Sequence, residues 1–282
     1  MTTTLAPCSL EDLLKDANSL PNLPGVVQQL IESFENDNVS IDEIAEIISA
    51  DPVLSAKLLR LANSAYYGMP RQIASVSDAM AMLGFITVRT LVVSSGLTGS
   101  FKRLSGIDLH NFWLNSLHVA CLAKHWSKAV GINREQVFTV GIMHRIGELM
   151  IHQRLGQEMH AIDEGAGLFD LHRFQVERRM LGFSYAEAGA KLASHWHFPH
   201  AFTQSVLWAP EPLATPPFDP VSGLVYLASW RVWADSRGLS EETVAADWPE
   251  SVGNALNLSR DVALQNLPPL KELAAGLEEL IH

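Results

Sequence analysis

The chain has 282 residues, 48% of them apolar, and a formal charge of −11. That length and apolar share suit one large or two modest globular domains, and the acidic balance argues against a protein that grips nucleic acid through its phosphates, which needs a basic face. No stretch approaches the ~18 apolar residues of a membrane-spanning helix, and Met1 to Pro7 lack the cationic start and apolar block of a secretory leader. Cys8 and Cys121 indicate no disulfide framework. A cytoplasmic location is the expectation.

In chain order, helix follows helix. Ser40-Ile41-Asp42-Glu43 reads as a capping box, with Ile41, Ile44, Ala45 and Ile48 at the spacing of one buried face. Asp51-Pro52 supplies an N-cap and an N1 proline for a helix carrying Leu54, Leu58 and Leu61 along one side. Ser75 to Asp78 starts a short helix that Gly84 can end in the left-handed conformation. Asn133 precedes a helix predicted over Val137 to His152, Ser184 to Glu187 caps the next long one, and Gly131 and Gly182 sit where helix C-termini are expected. The proline-rich stretch Pro210 to Pro220 interrupts the pattern before a helix predicted over Phe218 to Asp235. Beyond Gly238, Leu270, Leu273, Leu277 and Leu280 mark short amphipathic pieces that should dock on the body. No period-2 strand stands out, so the fold is expected to be all-α. The expected divisions are 1–101, an N-terminal bundle of short helices; 102–238, a core of longer helices; and 239–282, a helical tail packed on that core.

Several segments together resemble the HDOD proteins, signalling-output relatives of the His-Asp (HD) phosphohydrolases. They are Leu20 to Pro24, Asp51 to Gly68, Ile73 to Val76, Met82 to Phe85, Gly141 to Leu149, and Ala186 to Leu192 with Trp196 and Pro199, a resemblance covering roughly Leu20 to Trp230. It implies an all-helical HD-like core behind an N-terminal bundle, and a regulatory role without an established common reaction.

The resemblance also allows the metal site to be compared residue by residue. Val140 to Leu149 looks like the metal-binding helix of an HD phosphohydrolase, which carries His-Asp-Ile-Gly-Lys. Here the pair is His144-Arg145 and the lysine position is Glu148. A hard divalent cation wants imidazole and carboxylate donors. His118 and His144 match the two histidines, but Arg145 and Ser229 stand at the carboxylate positions, and no histidine occurs in Leu207 to Pro210. These five residues, His118, His144, Arg145, Glu148 and Ser229, read as a vestigial site with no metal, no cofactor and no catalytic residue.

Plainer readings stand beside these. His118 and His144 can be satisfied polar residues in a helical core. Arg145 and Glu148 are spaced as an i,i+3 ion pair. His144, Glu148 and His152 share a helical face that could hold a weakly bound metal but more simply is a structural stripe. In His195-Trp196-His197-Phe198-Pro199-His200, alternate residues on a helix do not face one way. Asn63, Ser64, Tyr66 and Tyr67 most simply end a helix and turn the chain, and are also a candidate interaction surface. The expectation is a non-catalytic regulatory module that contacts a protein partner or senses a ligand in a degenerate HD cavity, with no nucleic acid and no membrane. A small anionic ligand at Arg145 fits the forked donors of a guanidinium. The alternative is a metal-dependent HD-type phosphohydrolase acting on a nucleotide or cyclic dinucleotide.

Overall fold

Side-chain caps set where many of the helices begin. In the computed structural model, which describes residues 9–13, 15, 20–34, 40–101, 104–214 and 216–281, Asp51 accepts from the amides of Val53 at 2.9 Å and Leu54 at 3.0 Å. Ser40, Ser75, Asp108, Asn133 and Asp219 do the same for their own first turns, each satisfying donors that a helix start leaves unpaired. Cys8, the Lys102-Arg103 joint and Thr215 lie outside the described residues.

The first five helices are α1 Gly25–Glu32, α2 Ile41–Ala50, α3 Pro52–Ala62, α4 Val76–Leu83 and α5 Phe85–Gly99. The middle of the chain forms α6 Leu109–Val130, α7 Arg134–Met143, α8 Ile146–Leu155, α9 His160–Gly165, α10 Arg173–Leu181, α11 Tyr185–His195, α12 His200–Trp208 and α13 Pro220–Ser236. The tail adds α14 Glu241–Ala246, α15 Glu250–Ala255, α16 Arg260–Leu264, α17 Leu270–Ala274 and a 3-10 turn, Glu278–Ile281. No strand occurs among the described residues, and none of their helices is long and apolar enough to cross a membrane.

Helix α6 is the spine, against which α7, α13 and α17 all pack. The α6/α7 pair closes tightly because a Cβ at Gly141 would come within 2.5 Å of the Ala120 Cα. Helix α8 crosses α11 more closely still. A Cβ at Gly147 would run into the Tyr185 carbonyl and, at 2.5 Å, into the Gly189 amide. Glycine is needed at these crossings for backbone approach rather than for conformational freedom.

The sequence expectations need four amendments. The helix predicted over Val137 to His152 is two helices, because the chain breaks at His144 and Arg145, where Arg145 (φ −111°, ψ 12°) begins α8. Ile41 is 52% exposed, since it occupies the first turn of α2, while Ile44, Ala45 and Ile48 form the buried face. Gly84 does have positive φ (84°), but its ψ of 152° takes it out of the left-handed helical region so that it turns directly into α5. The helix predicted over Phe218 to Asp235 is Pro220–Ser236, with Asp219 as its cap.

Apolar packing is continuous along the whole molecule, one buried cluster running from Leu13 to Leu280. The tail touches both other parts. On the core side, the Trp126 indole N–H donates to the Ala263 carbonyl at 3.0 Å and Trp248 meets Trp126 and Trp230 edge-on. On the bundle side, the Thr98 hydroxyl donates to the Leu280 carbonyl, and Arg60 pairs with Glu279 at 3.0 Å. Helices this short are marginal alone. A fragment starting at Ser105 would uncover the α5-facing side of α7 and should therefore aggregate; sedimentation and circular dichroism would check this, and a monomeric, soluble, fully helical fragment would contradict a shared core.

Candidate functional site

The break between α7 and α8 places two consecutive polar side chains in the core. His144 is 2% exposed and donates from Nδ1 to the Gly141 carbonyl at 2.7 Å. A carbonyl can only accept, so Nε2 is left as a buried acceptor, and it has no partner among the described residues. Burial first, and the neighbouring Arg145 charge second, push the imidazole pKa down to about 3. Arg145, 3% exposed, turns the other way. Its Nη1 donates to the Leu168 carbonyl at 2.7 Å and to Glu148 Oε1 at 3.4 Å, its Nη2 donates to the Asp170 carbonyl at 3.1 Å, and its plane lies 4.7 Å from the Tyr185 ring.

A second arginine completes this centre. Arg173, at the start of α10 and fully buried, contacts the Glu148 carboxylate through Nε at 3.0 Å and Glu177 Oε1 at 2.9 Å. Its Nη1 donates to the Ala166 carbonyl at 2.6 Å, and Nη2 pairs with Asp163 at 2.8 Å. Glu177 also accepts from the Tyr185 amide at 2.7 Å, which ties the centre to the start of α11. Burial, and then the nearby Glu148 charge, hold the Glu177 pKa well above the usual carboxylate range. His152 donates from Nδ1 to the Glu148 carbonyl at 2.8 Å and approaches Asp163 at 3.4 Å with Nε2. Two guanidiniums thus hold three carboxylates, two of them fully buried.

This arrangement leaves out two of the five vestigial positions. His118 is half-buried on α6; burial lowers its pKa, and the charges that act on it are Asp235 of α13 and Glu278 and Lys271 of the tail. Ser229 is half-buried on α13, and the acceptors that hold Arg145 are Glu148 and the two loop carbonyls rather than the serine hydroxyl. His118 and Ser229 take no part in the bonds of the arginine centre among the described residues. The α7/α8 break directs Arg145 toward the 166–170 loop and α10. Arg145 spends its Nη1 and Nη2 bonds on Glu148 and two loop carbonyls and one flat face on Tyr185. Arg173, Glu177, Asp163 and Tyr185 were not singled out from the sequence. Arg173 and Glu177 do show an i,i+4 spacing, but that spacing is as common on solvated faces.

Among the described residues, no three His, Cys, Asp or Glu side chains sit where they could hold a metal ion. His195, His197 and His200 are exposed. The candidate interaction surface is partly occupied by the chain itself. Asn63 pins the following loop through two bonds with Ile73 at 2.8 Å, Gly276 of the tail packs on Ser64, and Tyr66 and Tyr67 stack edge-to-face and are half-buried.

The sequence matches the HDOD domain over residues 20–212. The chain belongs to the HDOD family. Among solved structures, this HDOD chain resembles a provisionally named phosphohydrolase from Shewanella amazonensis SB2B, at 29% identity and TM-score 0.75 over 95% of this chain and 96% of that one. It also resembles an HDOD domain protein of unknown function from Geobacter sulfurreducens, at 26% identity and TM-score 0.71 over 96% and 94%. A provisionally named signal transduction protein from Marinobacter aquaeolei VT8, at 21% identity and TM-score 0.73 over 95% and 59%, shares the fold. An uncharacterised protein of Treponema pallidum (strain Nichols) is 24% identical over 253 residues, and the chain spans 48% of its length.

The neutral state of His144 has a pH consequence. Its folded pKa is depressed to about 3, against a usual imidazole value of 6.5, so the stability it allows is present above about pH 6.5 and is lost as pH falls toward 3. Its contribution to the slope is up to ~1.4 kcal/mol per pH unit. Urea unfolding of His144→Gln between pH 6.5 and 4.5 should show a shallower loss of stability than the parent chain. Equal slopes would contradict a buried neutral imidazole.

Proposed function

We propose that this HDOD chain is a non-catalytic regulatory module that acts through contacts with a protein partner or through ligand sensing. The observation that carries this reading is the pair of buried arginines around the segment that resembles the metal-binding helix of an HD phosphohydrolase. Glu148, Glu177 and Asp163 are engaged by Arg173, and Glu148 also by Arg145. The one free imidazole nitrogen, His144 Nε2, lies beside the Arg145 charge. A divalent cation introduced here would have to displace guanidiniums from carboxylates and then sit next to them, which Coulomb repulsion in a low-dielectric interior opposes strongly. The donor set does not fit a metal.

The second reading, a metal-dependent phosphohydrolase acting on a nucleotide or cyclic dinucleotide, draws its support from the name of the Shewanella relative. Elemental analysis of the purified chain, with a turnover assay on bis(p-nitrophenyl) phosphate in the presence of manganese or magnesium, separates the two. The non-catalytic reading predicts substoichiometric transition metal and no hydrolysis above buffer. One or two tightly held metals per chain together with turnover would contradict it.

A further inference from the structure

A cavity of about 370 Å³ lies where the three parts of the chain meet, away from the arginine centre. Ala65 and Tyr66 come from the turn after α3, Cys121, Lys124 and His125 from α6, Arg134 from the start of α7, and Pro268, Glu272, Leu273 and Ala275 from the tail. The size is within the roughly 300–1,000 Å³ of small-molecule sites.

The polar groups around it are unevenly matched. Lys124 is 5% exposed, so its ammonium is committed to this interior, yet its one ion-pair partner among the described residues is Glu135 at 2.8 Å. An ammonium has three donors. The rings of Phe138 and Tyr66 lie 5.1 Å and 5.8 Å from its ammonium. Arg134, on the same cavity wall, makes no ion pair or side-chain hydrogen bond among the described residues, although the chain as a whole carries 31 acidic residues against 20 basic ones. Glu272 lines the cavity too but does not close onto Arg134. The charges that act on His125 are both cationic, Arg134 and Lys128. The remaining lining, Ala65, the Tyr66 ring, Pro268, Leu273 and Ala275, is largely apolar.

We propose that this junction is a binding site for a small organic anion, a phosphate or carboxylate head held by Arg134 and Lys124 with an apolar body against Tyr66, Pro268 and Leu273. An Arg134 guanidinium with no ion-pair partner among the described residues, beside a Lys124 ammonium whose single carboxylate partner leaves donors to spare, favours an anionic head. The apolar lining favours a ligand with a body over a bare inorganic ion. Because the site takes walls from the bundle, the core and the tail, an occupant bridges all three and slows release of the tail. The proposal deepens the ligand-sensing part of the regulatory reading and moves the ligand from Arg145 to Arg134. Its test is binding, so its failure would leave the non-catalytic reading standing, and turnover of a phosphodiester would sink that reading without touching this one.

The probe is phenyl phosphate, titrated into the full chain by calorimetry, with inorganic phosphate and benzyl alcohol as head-only and body-only controls. Phenyl phosphate should bind with a Kd below about 1 mM and slow hydrogen exchange in residues 268–275, phosphate should bind more weakly, and benzyl alcohol should not bind. Phenylacetate reports whether a carboxylate head serves as well; binding of either head supports the site. Arg134→Gln removes an exposed side chain with no folding partner and should weaken phenyl phosphate by roughly tenfold or more, while Glu272→Gln should tighten it. No saturable binding of either aromatic anion, or binding unchanged by both Arg134→Gln and Glu272→Gln, would overturn the proposal.

Discussion

A fully buried guanidinium, that of Arg173, organises the centre of this fold. Arginine remains charged at any pH relevant to a folded protein, so taking it out of water costs several kcal/mol unless its donors and its charge are matched. Here Glu148, Glu177, Asp163 and the Ala166 carbonyl do the matching. Those partners belong to α8, α9, α10 and the loop after α9, so the requirement fixes how these elements meet. Arg145 extends the network to the 166–170 loop and stacks on Tyr185, and Glu177 caps the first amide of α11. The glycines at 147 and 189 then let α8 and α11 come close enough to share these bonds.

The arginine centre and the cavity at the junction differ in what they leave unpaired. In the centre, cations and carboxylates are brought together, with Glu148 and Glu177 fully out of solvent, an arrangement suited to holding shape. At the junction, Lys124 and Arg134 keep donors to spare beside an apolar pocket. The first is chemistry turned inward and the second is chemistry left open. The tail ties the junction to the rest of the molecule, because it packs on α6 while reaching the bundle through Leu280 and Glu279. A protein whose role is to relay a state needs an element of this kind, one that several bodies share.

Much of the fold was legible because local signals agreed with one another. Ser75, Asp51, Asn133 and the Ser184 to Glu187 box cap helices where the sequence places them, and Leu54, Leu58 and Leu61 are buried as their spacing requires. The centre was only half legible. His144, Arg145 and Glu148 stood out as departures from a motif, and the Arg145 to Glu148 pair follows from their spacing. Arg173 and Glu177 did not stand out, because an i,i+4 pair carries no mark of burial, and what buries it is the packing of α8, α9 and α11 around it. For His118 and Ser229 a pattern match fixes sequence position but not which side of a helix faces the site. The turn at Asn63 to Tyr67 was read as structure with a surface role. Its cavity appeared only when the tail, more than 200 residues away in sequence, was laid against it.

The central claim is that paired charged side chains hold this centre together. A double-mutant cycle between Arg173 and Glu148, using Arg173→Met and Glu148→Gln and reading unfolding free energy in urea at pH 7, tests it most directly. The account predicts that each single change costs about 3–5 kcal/mol and that the coupling between them is roughly 2 kcal/mol or more. Coupling near zero, with each single variant as stable as the parent chain, would contradict it.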